Sequence, residues 1–267
     1  MILIKIGGGK KIKLDAICSD IKTLIDKGEQ IVLVHGASTT RDEIATSLNH
    51  PTKTIISPSG VSSVYTDAKS IDIFLMAYVG LVNKRLVEKL QQHGVNAIGL
   101  SGIDGRLWQG KRKRVVYSQI DGKTKLISDS MTGKVEKINS PLISILIENG
   151  YTPVLCPPAI SDENEIINTD NDWATGVMVG ALHIEKMIVL FEAPGMLKTF
   201  GDEKSLVKTI KKDELDSYIQ YAQGQMKKKV IGAREAFRLG LMTMYWADGR
   251  IENPVINALE GGGTIIS

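Results

Sequence analysis

Met1-Ile-Leu-Ile-Lys-Ile-Gly-Gly8 opens the chain and decides how the rest is read. An apolar run free of turn residues reads as a buried strand of a parallel sheet. It stops at Gly7-Gly8-Gly9, where a backbone without side chains can approach a bound group closely. Lys5 sits inside the run, and a buried ammonium is costly unless an anion or acceptors meet it. Period-2 alternation places Ile4 and Ile6 on one face and Lys5 on the other. Two readings stay open from this stretch alone. Lys5 is either a half-exposed strand lysine with its head in water, or a lysine held at a strand tip to meet phosphate beside glycine N–H donors.

Working outward, residues 13–27 carry Leu14, Ile17, Ile21, Leu24 and Ile25 at the spacing of one helix face, with Gly28 as the stop. Gln30-Ile-Val-Leu-Val-His-Gly-Ala-Ser38 is a second buried strand ending in a small-residue loop. Strand, glycine loop, helix, strand, glycine loop is the opening of a parallel α/β sheet. Both loops fall at carboxyl ends of strands, the edge where open sheets bind ligands. A long helix is expected over Asp67–His93, spaced by Ile71, Phe74, Leu75, Tyr78, Val82, Leu86 and Leu90. Residues 110–139 read as a meander turning at Asp121-Gly122, a short-range hairpin signal. Ser140-Pro141 opens a capped helix, and Thr152–Cys156 is the next strand. The second half repeats the alternation, with helices over 172–182 and 226–238 and strands at 186–191 and 242–247. The expected fold is α/β: an open, mainly parallel sheet sandwiched by helices, in two joined lobes, residues 1–180 and 181–267.

At 267 residues, 43% hydrophobic and 24% charged, the chain has the composition of a soluble globular protein. A net charge of +3 is too mild to imply nucleic acid. No apolar run approaches the roughly 20 residues of a membrane span. No signal-peptide pattern precedes the first strand. Cys18 and Cys156 have no Cys or His partners at metal-ligand spacing. A reduced, cytoplasmic protein without a protein-held metal is expected.

Two further polar clusters join Lys5, Gly7 and Gly8. Asn168-Thr-Asp-Asn-Asp172 precedes a helix, where a carboxylate also serves as a simple cap. Gly224-Gln-Met-Lys-Lys-Lys229 puts three lysines in a helix's first turn, against its dipole. That is either a solvated basic turn or an anion site. Lys111-Arg-Lys-Arg114 is either a solvated edge or a docking patch.

Lys-Ile-Gly-Gly at the start, His35-Gly36, Asn168–Asp172 and Gly224–Lys229, in this order and spacing, resemble the amino acid kinase family, and within it the N-acetylglutamate kinases. Gly80-Leu-Val-Asn-Lys-Arg-Leu-Val-Glu, Asn96-Ala-Ile-Gly-Leu-Ser-Gly-Ile-Asp-Gly105 and Glu252-Asn-Pro are most similar to the branch acting on LysW-bound aminoadipate. The resemblance implies the amino acid kinase fold and ATP with Mg2+. It implies phosphorylation of the side-chain carboxylate of a carrier-bound aminoadipate or glutamate, in lysine or arginine biosynthesis. Lys5 and Lys229 would stabilise the transferring phosphoryl group, with Asp172 holding both. Gly7, Gly8 and Lys227 would meet phosphates, and Gly36, Ala37 and Asn168 the acceptor. The first lobe would bind acceptor and form a homodimer, and the second would bind ATP. Lys111, Arg112, Lys113 and Arg114 would dock the acidic LysW-like carrier.

The chain departs from the family pattern in places. Val64 stands where an acceptor-binding arginine is expected, with Lys84 or Arg85 as possible substitutes. Ala37 and Asn171 replace glycines, and Glu192 lies in an altered loop near the nucleotide. A kinase of free N-acetylglutamate and a non-catalytic nucleotide-binding paralogue therefore remain as rivals.

Overall fold

In the computed structural model the opening run is β1 (Ile2–Ile6), buried at all five positions. It lies between β2 (Ile31–His35) and a strand from the second half of the chain, in parallel with both. Every residue is described except Ser59, Val61, Asp121, Gly122 and Gln223, together with the side chains of Gln119, Ile120, Lys123 and Gln225. The expected turn at Asp121-Gly122 therefore lies outside the described residues.

The first half continues through α1 (Leu14–Asp26), α2 (Ser38–Ser47), β3 (Thr54–Ile56), β4 (Ser62–Val64), α3 (Ala68–Phe74), α4 (Asn83–Gln92), β5 (Ala97–Gly102) and β6 (Trp108–Arg112). Next come β7 (Val116–Ile120), β8 (Lys123–Ile127), β9 (Gly133–Ile138), α5 (Ser140–Glu148), β10 (Thr152–Ser161) and β11 (Ile166–Ile167). The second half holds α6 (Asn171–Leu182), β12 (Lys186–Phe191), β13 (Thr209–Ile210), α7 (Gln225–Arg238), β14 (Thr243–Asp248), α8 (Pro254–Leu259) and β15 (Thr264–Ile266). The main sheet runs β13-β15-β14-β12-β1-β2-β10-β6-β9, with β5 and β11 also on β10. Its core from β14 through β10 is parallel, so both halves share one sheet.

Alternation along β1 sorts the two cores. Ile2, Ile4 and Ile6 pack with Ile17, Ile21, Leu86 and Leu90 on one face. Leu3 belongs to the other, with Met178, Val179 and Val230 of α6 and α7. Lys5 is on the face of Leu3 and is directed at those two helices.

Three expectations need correction. The helix over 67–93 is one path, but Leu75–Val82 widens into a π-helix between α3 and α4. That segment is apolar nearly all round, and four-residue apolar spacing does not distinguish the wider turn. The meander is two structures: β6 pairs with β9 in the main sheet, while β7 and β8 form a separate ribbon. Finally, β10 runs past Cys156 through Pro157-Pro158 to Ser161. The prolines fall where β10 stops pairing with β2 and β5 and begins pairing with β6 and β11, so their missing N–H groups cost no ladder bond.

Candidate active site

Lys5 is 4% exposed, and its ammonium donates to Oδ1 of Asp172. Nζ of Lys229 lies 3.7 Å from the other carboxylate oxygen. Local chemistry frees Asp172 for this. Asp170 is the N-cap of α6, accepting from the N–H groups of Asp172 at 2.9 Å and Trp173 at 3.1 Å. The capping reading holds for the segment, but through the neighbouring acid.

Glycines bring α6 and α7 together. A Cβ on Gly232 would lie 2.6 Å from the Asp172 carbonyl oxygen, and one on Gly176 would lie 3.2 Å from that of Gly232. The two helices run side by side with their N-termini towards one cavity. Two lysines and one aspartate leave a net positive charge beside two helix N-termini, an arrangement that attracts an anion. Burial pushes the Lys229 ammonium down to about 8, with Asp172 opposing the shift and Lys5 adding to it. Burial raises the Asp172 carboxyl, but Lys229 and Lys5 outweigh it and hold the acid below its ordinary value.

The glycine loops meet backbone to backbone beside this cluster. A Cβ on Gly8 would lie 2.4 Å from the Ser38 nitrogen, and one on Gly36 would lie 2.9 Å from the Gly8 nitrogen. No side chain fits between them. Around them opens a cavity of about 1130 Å³. Lys5, Gly7, Gly8, Asp172 and Lys229 line its middle. Val64, Phe74 and Asn168 line one side, and Phe191, Leu197, Tyr221 and Arg250 the other.

The sequence pattern of the amino acid kinase family matches residues 1–245. The chain belongs to the amino acid kinase family. It is 44% identical over 268 residues to a [LysW]-aminoadipate kinase of Thermus thermophilus, covering all of both chains. It is 45% identical to a [LysW]-aminoadipate kinase of Deinococcus radiodurans, covering all of this chain and 91% of that one. Among solved structures, an N-acetylglutamate synthase of Neisseria gonorrhoeae superposes with a TM-score of 0.80 at 21% identity, over all of this chain and 59% of that one. The amino acid kinase fold expected from the sequence is the fold observed.

Not every candidate reaches the cavity. Ala37 does not line it: its methyl is buried with Phe74, Ala77 and Tyr78 beneath the loop. Lys227 does not line it either, whereas Lys228 does, with its ammonium 3.4 Å from Asp170. The helical phase of α7 turns Lys228 and Lys229 inward together. Asn168 lines the cavity while donating from Nδ2 to Thr66 Oγ1 at 2.9 Å. Neither suggested substitute for an arginine at Val64 is there. Lys84 donates to the Gly99 carbonyl at 2.8 Å, and Arg85 pairs with Glu88 at 2.8 Å.

The basic run is less uniform than its sequence. Arg112 pairs with Glu165 at 2.8 Å, Arg114 with Glu165 at 3.5 Å, and Lys111 with Glu136 at 3.5 Å. Lys113 is exposed and lines the cavity.

Two residues lay in the quoted runs without an assigned part: Asp170 is the cap, and Lys228 is its partner. Arg41, which lines the cavity from α2, escaped the sequence reading. His35 does not line the cavity. It is buried beneath Gly36, its Nδ1 bonds the Gly36 carbonyl at 3.2 Å, and Asn83 Nδ2 donates to its Nε2 at 3.1 Å. Burial pushes it down to about 4, so the ring is neutral. Glu192 accepts from the Lys11 N–H at 2.5 Å and covers Gly9, tying down the loop after β1.

Proposed function

We propose that the chain is an ATP-dependent kinase that phosphorylates the side-chain carboxylate of α-aminoadipate or glutamate carried on an acidic LysW-like protein, in lysine biosynthesis. The observation that carries this reading is the meeting of Lys5 and Lys229 on Asp172, midway along a cavity with two distinct ends. The similarity to two [LysW]-aminoadipate kinases along their length supports the choice of acceptor.

An acceptor carboxylate is already ionised at neutral pH and needs no general base. One of its oxygens attacks the γ-phosphorus of ATP. The new O–P bond forms as the bond to the β,γ-bridging oxygen breaks, and ADP departs with that electron pair. Such a reaction depends on positioning and charge stabilisation. Lys5 and Lys229 supply positive charge to the equatorial oxygens, and Asp172 holds two like charges side by side. Gly7, Gly8 and Lys228 approach the phosphates, and Gly36 and Asn168 the acceptor. Asp172 is committed to two lysines. Mg2+ would enter with ATP, carried by its phosphates, and would neutralise part of their charge.

We assign acceptor binding mainly to residues 1–180 and nucleotide binding to residues 181–267, with the β1 glycine loop shared. A homodimer through the first lobe is supported by Met76 and Leu81, large apolar side chains exposed on the widened helix. A reducing cytoplasm suits the free, buried Cys18 and Cys156.

The decisive assay follows ATP consumption with carrier-bound aminoadipate, carrier-bound glutamate and free N-acetylglutamate. Turnover on a carrier-bound acceptor is expected. Turnover on N-acetylglutamate alone selects the second reading, a kinase of the free acyl-amino acid. One observation favours that second reading: Lys111, Arg112 and Arg114 already pair with carboxylates of their own chain, which weakens their pull on an acidic carrier. No turnover with any carboxylate would leave only a nucleotide-binding role.

A further inference from the structure

We infer that Arg41 forms a second carboxylate subsite at the acceptor end of the cavity, and so selects acceptors that carry a free carboxylate besides the one phosphorylated. This rests on the kinase reading above and adds to it the residue that chooses the acceptor.

Arg41 lies in the first turn of α2, directly after the Gly36 loop, with its N–H bonded to the Ala37 carbonyl at 2.8 Å. Its side chain is only 11% exposed, unusual for an arginine so near the surface. The guanidinium carbon lies 5.4 Å from the centroid of the Phe74 ring, which stacks in turn on Tyr78. That contact holds the planar fork in a fixed orientation before any ligand arrives.

Its own partner uses little of it. Asp42 accepts from Nε at 2.9 Å and from Nη2 at 2.7 Å, both through the single oxygen Oδ1. That oxygen also accepts from Thr52 at 2.6 Å. A guanidinium has five N–H donors, and Nη1 of Arg41 has no hydrogen-bond partner among the described residues. Donors left over on an oriented, largely buried guanidinium suit a carboxylate, which can take two of them side by side.

The surroundings leave this task to Arg41. Lys5 and Lys229 are committed to Asp172 in the middle of the cavity. Lys84 and Arg85 are bonded elsewhere. Val64 packs against the cluster that contains this aromatic pair, and its side chain offers no polar atom. Lys113 is exposed.

The test is calorimetric binding of N-acetyl-α-aminoadipate and of its α-carboxamide to the full-length protein. Loss of one charge-assisted pair predicts roughly 10- to 100-fold weaker binding of the amide to the unmodified protein. Arg41→Met should bind acid and amide within a few-fold of each other, and Arg41→Lys should fall between. In turnover, Arg41→Met should raise KM for the acceptor and leave KM for ATP unchanged. Equal affinity of the unmodified protein for the two ligands, binding of neither, or discrimination that persists in Arg41→Met overturns the inference. Because binding is read without turnover, the two proposals separate. Discrimination without phosphorylation removes the kinase reading and keeps Arg41. Phosphorylation of acid and amide alike does the reverse.

Discussion

The middle of the cavity and its acceptor end are built in opposite ways. The middle draws Lys5 from β1, Asp172 from α6 and Lys229 from α7, and closes them into one buried, mutually bonded cluster. The acceptor end is lined by β4 of the short β3–β4 ribbon, by Arg41 of a short helix, and by half-exposed side chains such as Asn168. A cluster in which each charge is held by another tolerates little change. An edge of loops and ribbons on the same scaffold can vary without disturbing it. On the proposed function, transfer chemistry and acceptor choice fall to separable parts of one cavity.

The largest effect should come from removing the shared carboxylate. Asp172→Ala leaves two ammonium groups buried without a partner, a change of about 3–5 kcal/mol. Thermal or urea unfolding should show a loss of that size. A variant as stable as the unmodified protein would mean that the middle is as tolerant as the edge.

The pH dependence sharpens the same contrast. Lys229 is charged below its value of about 8 and neutral above it, so kcat/KM for ATP should fall about tenfold per pH unit above that point. The phosphates of bound ATP stabilise the ammonium, so kcat should persist to higher pH. Lys5 contributes to the downward shift, and Lys5→Met should move the kcat/KM limb upward. A limb unmoved by that substitution would assign it to another group.

Beneath the acceptor loop, His35 predicts sensitivity to acid. Its value in the fold lies below that in the unfolded chain, near 4 against 6.5, so the unfolded state takes up a proton first as pH falls. Stability attributable to His35 should be nearly intact at pH 7 and above, and should fall by about 2 kcal/mol between pH 7 and pH 5. His35→Gln should flatten this part of the profile in urea titrations.

The smallest effect belongs to the basic run. Lys111→Ala with Lys113→Ala should weaken association with an acidic carrier a few-fold at low salt, and less at high salt. Unchanged affinity at low salt would remove the docking role.

Much of the middle could be read from the sequence because each part is locally odd. A lysine inside an apolar strand, glycines at two strand ends and lysines in a helix's first turn all break a local rule for which an anion is the remedy. The partners of these groups were less legible. In the sequence Asp170 and Asp172 are alike as acids at a helix start, and only Lys5, 167 residues away, engages Asp172 and leaves Asp170 as the cap. Lys227 and Lys228 differ only by the phase of α7. At the acceptor end the signals were weaker still. Arg41 stands in an unremarkable polar run, and its orientation depends on Phe74, brought close only by the fold. The widened helical segment was invisible because its apolar residues fit both helix types.

Single-turnover phosphoryl transfer in Lys5→Met and Lys229→Met, with ATP affinity measured alongside, tests whether these two lysines serve the transferring group. Transfer should slow by about two to three orders of magnitude in each, the scale for losing one preorganised charge donor, while ATP still binds. Transfer within a few-fold of the unmodified protein in both variants would contradict the account.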